Sequence, residues 1–116
     1  MLAACQESLE DRGAKEAETY TRKNCPAPID KTMILDSMTF EKDSHTFCYY
    51  YRMTGAADTE GAIDWDKAKD ALRHALKNTT AMKMYKDAGY SFRYVYRSEK
   101  DPTKVWKDVT LTKNDY

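Results

Sequence analysis

Apolar residues recur every three or four positions in two stretches of this chain and alternate with polar ones in four others. In residues 7–24, Leu9, Gly13, Ala17 and Tyr20 fall at i, i+4, i+8 and i+11, one face of a helix. Glu7, Glu10 and Asp11 at its start and Arg22 and Lys23 at its end complement the helix dipole. Gly13 and Ala17 are small enough for close approach to a sheet. Asn24-Cys25-Pro26 ends the helix, because proline disfavours helical backbone in the residue before it, and Pro26-Ala27-Pro28 reads as a stiff extended connector.

Residues 32–41 and 46–54 read as a hairpin around the polar turn Glu41–His45. Ile34, Met38 and Phe40 share one parity, with Asp36 as the exception. On the second strand Phe47, Tyr49, Tyr51 and Met53 oppose Thr46, Cys48, Tyr50 and Arg52. A small-residue loop, Thr54 to Gly61, leads to a second helix capped by Asp64, with Ala68, Ala71, Leu72, Ala75 and Leu76 as its buried stripe. The phase breaks at Asn78-Thr79-Thr80, which predicts a kink or recapping, and Gly89 stops the helix. A second hairpin follows over 90–97 and 104–112. Tyr90, Phe92, Tyr94 and Tyr96 oppose Ser91, Arg93, Val95 and Arg97, and Val105, Val109 and Leu111 oppose Trp106, Asp108, Thr110 and Thr112. The expected fold is α+β, helix–hairpin–helix–hairpin (αββαββ), a four-stranded antiparallel sheet with both helices on one face and the other open to water.

Composition narrows the function classes. The 116 residues suit one domain, residues 5–116. Nineteen basic and nineteen acidic residues cancel, so there is no global field to attract nucleic acid. Past residue 5 no stretch approaches the ~18 apolar residues of a membrane helix. Nine tyrosines, against three Phe and two Trp, favour half-buried sheet faces and contact surfaces.

Leu2-Ala3-Ala4-Cys5 has the order of a bacterial lipobox: an aliphatic residue, two small ones, and a cysteine whose thiol takes the lipid. Residues 1–4 then read as the remainder of a signal peptide in a chain that begins inside its signal, and Cys5 as the lipidation site and membrane anchor. The alternative is a cytosolic protein that happens to begin MLAAC. An anchored protein would sit in the bacterial cell envelope, facing the periplasm or the surface. With Cys5 assigned, Cys25 and Cys48 remain as a pair that an oxidising compartment permits to form a disulfide, or two separate thiols.

The lipobox with its acidic follow-on, "CPAPID", "TFCYYYRM" and "DAGYSFRYVYRSEKDPTKV" together resemble a group of small envelope lipoproteins of Bacteroidetes-type bacteria. The resemblance spans most of residues 5–116. It implies location and fold, and no activity.

Candidate chemistry is sparse. Asp43, Ser44 and His45 are consecutive, and three neighbours cannot arrange nucleophile, base and orienter. His74 follows Arg73 on a helix and reads as a surface residue. Asp64, Asp66 and Asp70 are accounted for by capping and the helix dipole, so no metal and no cofactor are expected. Tyr50, Arg52, Arg93 and Arg97 are the most suggestive set. Arg93 and Arg97 share a face about 13 Å apart, and aromatics beside guanidinium groups could stack on a ligand. The plainer reading pairs the arginines with carboxylates across strands. The sequence thus points to a non-enzymatic module binding a protein, peptide or glycan through a Tyr/Arg-bearing sheet face or edge. It would be a monomer, held at the membrane by lipid on Cys5. Two alternatives stand beside this: a small enzyme using Asp36, His45 or His74, and a structural or assembly subunit pairing strand edges.

Overall fold

The computed structural model describes residues 7–116. The lipobox Leu2–Cys5 and its lipidation site Cys5 lie outside the described residues. Ser8 caps the first helix, α1 (Leu9–Asn24), its hydroxyl accepting from the Asp11 amide at 3.0 Å. Gly13 and Ala17 are the buried positions of α1, as the apolar period requires. A short strand, β1 (Ala27–Asp30), precedes the first hairpin, β2 (Met33–Glu41) and β3 (Thr46–Met53). A 3-10 turn at Gly55–Ala57 and the loop after it lead to α2 (Trp65–Asn78). Asp64 caps α2, accepting from the Asp66 and Lys67 amides. The phase break produces a separate short helix, α3 (Lys83–Asp87), and Gly89 follows with φ +78°. The second hairpin is β4 (Ser91–Ser98) and β5 (Val105–Leu111).

The fold is α+β, as expected, but the sheet differs in two respects. It has five strands in the order β1-β2-β3-β4-β5, and β3 and β4 run parallel. The expected all-antiparallel sheet of four strands fails at the join between hairpins. The connection from β3 to β4 crosses over through α2 and α3, and a helical crossover returns the chain in the same direction. The added strand is the segment read as a connector, with Ala27 opposite Leu35 and Pro28 opposite Ile34. Proline is tolerated there because β1 is an edge strand.

Parallel register stacks like on like. Phe47 stands opposite Phe92, Tyr49 opposite Tyr94 and Tyr51 opposite Tyr96, with ring centroids 5.8, 5.0 and 4.8 Å apart. All the helices pack on this face. A Cβ on Gly13 would touch Phe40 and Phe47, Tyr85 of α3 meets Phe47 edge-on at 4.7 Å, and Trp65 of α2 meets Tyr96 at 4.9 Å. Phe47, Phe92 and Leu111 are fully buried at its centre.

Register shifts in β2 and β5 alter the simple alternation. In β2 the register shifts between Leu35 and Ser37. Asp36 is the extra residue, which explains its exceptional parity. Met38 and Phe40 register with the helix-side residues Tyr49 and Phe47, but beyond the bulge Met33 and Leu35 take that side, and Ile34 stands opposite Arg52. In β5 a shift near Trp106 turns the indole toward the core, where its Nε1 donates to Asp58 at 2.9 Å, and leaves Val105 46% exposed. The expected opposition of Trp106 to Val109 and Leu111 is therefore lost.

Candidate functional site

The sheet offers two candidate surfaces. The first is the helix-free face, and the structure brings all four sequence-predicted residues onto it. Tyr50 is opposite Val95, Arg52 opposite Arg97, and Arg93 opposite Cys48. The arginines are largely engaged. Arg52 reaches Asp36 at 3.1 Å and Glu99 at 2.7 Å, and the bulge at Asp36 sets its carboxylate there. Arg93 holds Asp108 in a two-pronged pair at 2.9 and 2.6 Å. That pairing lowers the Asp108 carboxyl below its ordinary range and raises Arg93 above its own. Arg97 packs over the Tyr50 ring, 5.7 Å from its centroid. Cys48 and Val95 are buried on this face with no helix above them. Burial and nearby Glu41 push the Cys48 thiol pKa up, away from reactive thiolate.

The sequence left a Cys25–Cys48 disulfide open. Both thiols are free. Cys25 ends α1 on the β1 side of β2, whereas Cys48 is on β3. Two strand spacings, about 9–10 Å, exceed the ~7 Å Cα separation a disulfide spans.

The second surface was not legible as a site. α1 packs over β2, and the main contact of α2 with the sheet is at β5, at the far side. Only Leu76 of α2 is buried, while Ala71 and Ala75 are exposed. The expected buried stripe of five residues is thus mostly unfilled, because alanine side chains are too short to bridge to the sheet. What remains is an open apolar cleft of about 380 Å³. Trp65, Ala68, Ala71, Leu72 and Ala75 form one wall, and Ile63, Met33, Met53 and Tyr96 complete it. Tyr96 is desolvated enough that its phenol pKa is raised, and Tyr51 is pushed up to about 12 for the same reason. Three alanines in one helical stripe beside a tryptophan were the available signal. They imply either a very close helix–sheet approach or a gap.

The residues held in reserve for an enzyme do not gather. Asp36 lies on the helix-free face with Arg52. His45, at φ +50° in the β2–β3 turn, stacks on Tyr90 at 4.7 Å and faces Glu10 at 3.4 Å. His74 projects from α2 beside Asp70, 72% exposed. Among the described residues no group of three His, Cys, Asp or Glu side chains is placed to hold a metal ion. Nor is any helix there long and apolar enough to cross a membrane.

One buried polar residue escaped the sequence reading. Asp58, 4% exposed, accepts from the Lys100 amide at 3.0 Å and from the Trp106 indole. The Ser98 hydroxyl and these donors hold its carboxyl down at about 2. It pins the crossover loop to the β4–β5 hairpin.

A five-stranded mixed sheet with helices on one face and an apolar cleft beside the crossover helix defines the structural class. The chain belongs to the family of a domain of unknown function, DUF8479, whose model matches residues 8–106. No curated protein sequence matches it. Solved structures share the fold at low identity. The type II secretion system pilotin AspS from Vibrio cholerae is 16% identical, with a TM-score of 0.70 over 99% of this chain and 98% of its own. The pilotin EpsS from the Vibrio vulnificus type 2 secretion system is 13% identical, with a TM-score of 0.73 over 92% of this chain and 90% of its own. A Pseudomonas aeruginosa protein described as secreted is 13% identical, with a TM-score of 0.72 over 95% of this chain and 98% of its own.

Proposed function

We propose that this protein is a non-enzymatic module of the bacterial envelope, lipid-anchored through Cys5, that takes the apolar face of a partner protein's helix into the cleft beside α2. The cleft carries the reading. It is open and apolar, and the small residues Ala68, Ala71 and Ala75, at i, i+3 and i+7, let another helix backbone approach closely. A helix presents its anchors at the same spacing, which is the helix-in-groove mode of recognition. Strand addition is disfavoured at the β1 edge, since Pro26 and Pro28 lack amide donors. The shared fold with two secretion-system pilotins favours a role in assembling other envelope components over catalysis. The resemblance to small Bacteroidetes-type envelope lipoproteins bears on the envelope location and the fold only.

A second reading places a protein, peptide or glycan on the helix-free face, at Tyr50 and Arg97 with Arg52 and Arg93 beside them. It is favoured by Arg97, which has no carboxylate partner among the described residues and stacks on an aromatic ring. One experiment separates the two. A photo-crosslinking residue is placed at Ala71 or at Arg97 and irradiated in intact cells. A discrete protein adduct from position 71, absent from position 97 and abolished by Ala75→Glu, is the expected result. Adducts from position 97 alone would transfer the function to the helix-free face, and none from either would refute both.

A further inference from the structure

We propose that the corner formed by α3, the end of α2 and the early turns of α1 is a contact site for an anionic lipid surface. Two adjoining depressions meet there, one lined by Lys77, Lys83, Lys86 and Lys113, the other by Arg12, Glu16, Ala81 and Met84. Five cations line them against two carboxylates, Glu16 and Asp87, in a chain whose total charge is zero. Lys83 pairs with Asp87 at 2.7 Å. The Lys86 ammonium is turned inward, donating to the carbonyls of Leu76, Lys77 and Thr79, which closes the open end of α2. No ion pair among the described residues engages Lys77, Lys113 or Arg12.

In the second depression, with Arg12 and Lys83, Met84 is 43% exposed and Ala81 is exposed. An exposed unbranched apolar side chain beside a cationic patch matches a lipid interface, where the methyl end enters the acyl boundary and the cationic groups meet phosphates. The position fits as well. Arg12 lies one turn into α1, so the corner adjoins the end at which residues 1–6 join the domain. The cleft runs along α2 from Trp65 to Ala75, and the corner begins at Lys77, in the last turn of the same helix.

The test uses the full chain with Cys5→Ser, so that no acyl group contributes, and co-sedimentation with vesicles. Vesicles of phosphatidylcholine alone are compared with vesicles containing phosphatidylglycerol. Binding should appear only with phosphatidylglycerol and be released by high salt. Lys77→Glu and Lys113→Glu should each lower the partition at least about fivefold, since one cation near an anionic surface contributes about that factor. Met84→Ser should lower it less. Lys31→Glu and Lys67→Glu, away from the corner, should leave it unchanged, and circular dichroism melts establish that each variant folds. Equal binding to both vesicle types, equal losses from corner and control variants, or no binding at all would overturn the proposal. So would binding to a soluble polyanion through the same lysines with vesicles ignored. The assay needs no partner and no cell, so its failure is separate from failure of the cleft.

Discussion

Replacing Gly13 by alanine should destabilise this protein by about 1 kcal/mol, although the same change in an exposed helix interior stabilises by about 1 kcal/mol. The sign reverses because of where α1 lies. A Cβ at Gly13 would stand 3.3 Å from Cε1 and Cζ of Phe40 and 3.3 Å from Cζ of Phe47. Carbon atoms in good contact are about 3.5–4.0 Å apart. Phe47 cannot give way. It has no exposure, and Phe40, Tyr85 and Phe92 surround it at 4.7, 4.7 and 5.8 Å. The helix must therefore lift from the sheet. Overpacking of a close-packed site costs about 1–3 kcal/mol. Subtracting the gain in helix propensity leaves a net loss of about 0–2, centred near 1 kcal/mol. In a domain of this size that is a fall in Tm of about 4 °C. Urea unfolding followed by far-UV circular dichroism measures it, and Gly13→Val should lower the midpoint further. A rise in midpoint for Gly13→Ala would refute the reasoning, since it would mean that the rings yield freely or that α1 is not held so close.

Asp58 makes stability depend on acid. Its carboxyl is depressed from 3.8 to about 2, so its contribution is present above about pH 4 and is lost as pH falls toward 2. Thermal melts between pH 5 and pH 2 should show this decline, and Asp58→Asn should be less stable at pH 7 with a flatter decline. An unchanged profile in the variant would remove Asp58 from the account. The Arg93–Asp108 pair is over a third exposed on both sides, so solvent screening limits it. A double-mutant cycle with Arg93→Gln and Asp108→Asn should give a coupling of no more than about 1 kcal/mol, and several kcal/mol would mean that this face is covered in the folded protein.

The candidate surfaces were unequally visible in the sequence. Tyr50, Arg52, Arg93 and Arg97 could be placed on one face from alternation alone, because side chains on a strand alternate with period two. Their engagement could not be read, because Asp36, Glu99 and Asp108 come from different strands and turns. Asp36 looked like an error in the pattern until the bulge at Leu35–Ser37 gave it a position. The cleft was invisible for a different reason. Periodicity shows which side of α2 faces inward, but not how far the helix stands from the sheet, and the stripe of alanines fits either answer. Asp58 was missed because a small-residue loop carries no periodic signal and its partners lie forty or more residues away.

By itself the sequence determined the local elements of this protein. The helix cap at Asp64, the break at Asn78–Thr80, and the alternating faces of β3 and β4 all follow from interactions between residues close along the chain. Tertiary structure decided how those elements meet: the fifth strand, the parallel join of β3 to β4, the pairing of the arginines and the unfilled space beside α2. The parallel join, the reach of Arg52 to Glu99 and the space beside α2 depend on the crossover through α2 and α3, which sets two hairpins side by side in one direction, and the fifth strand depends on β1 folding back onto β2; no short-range pattern encodes those choices.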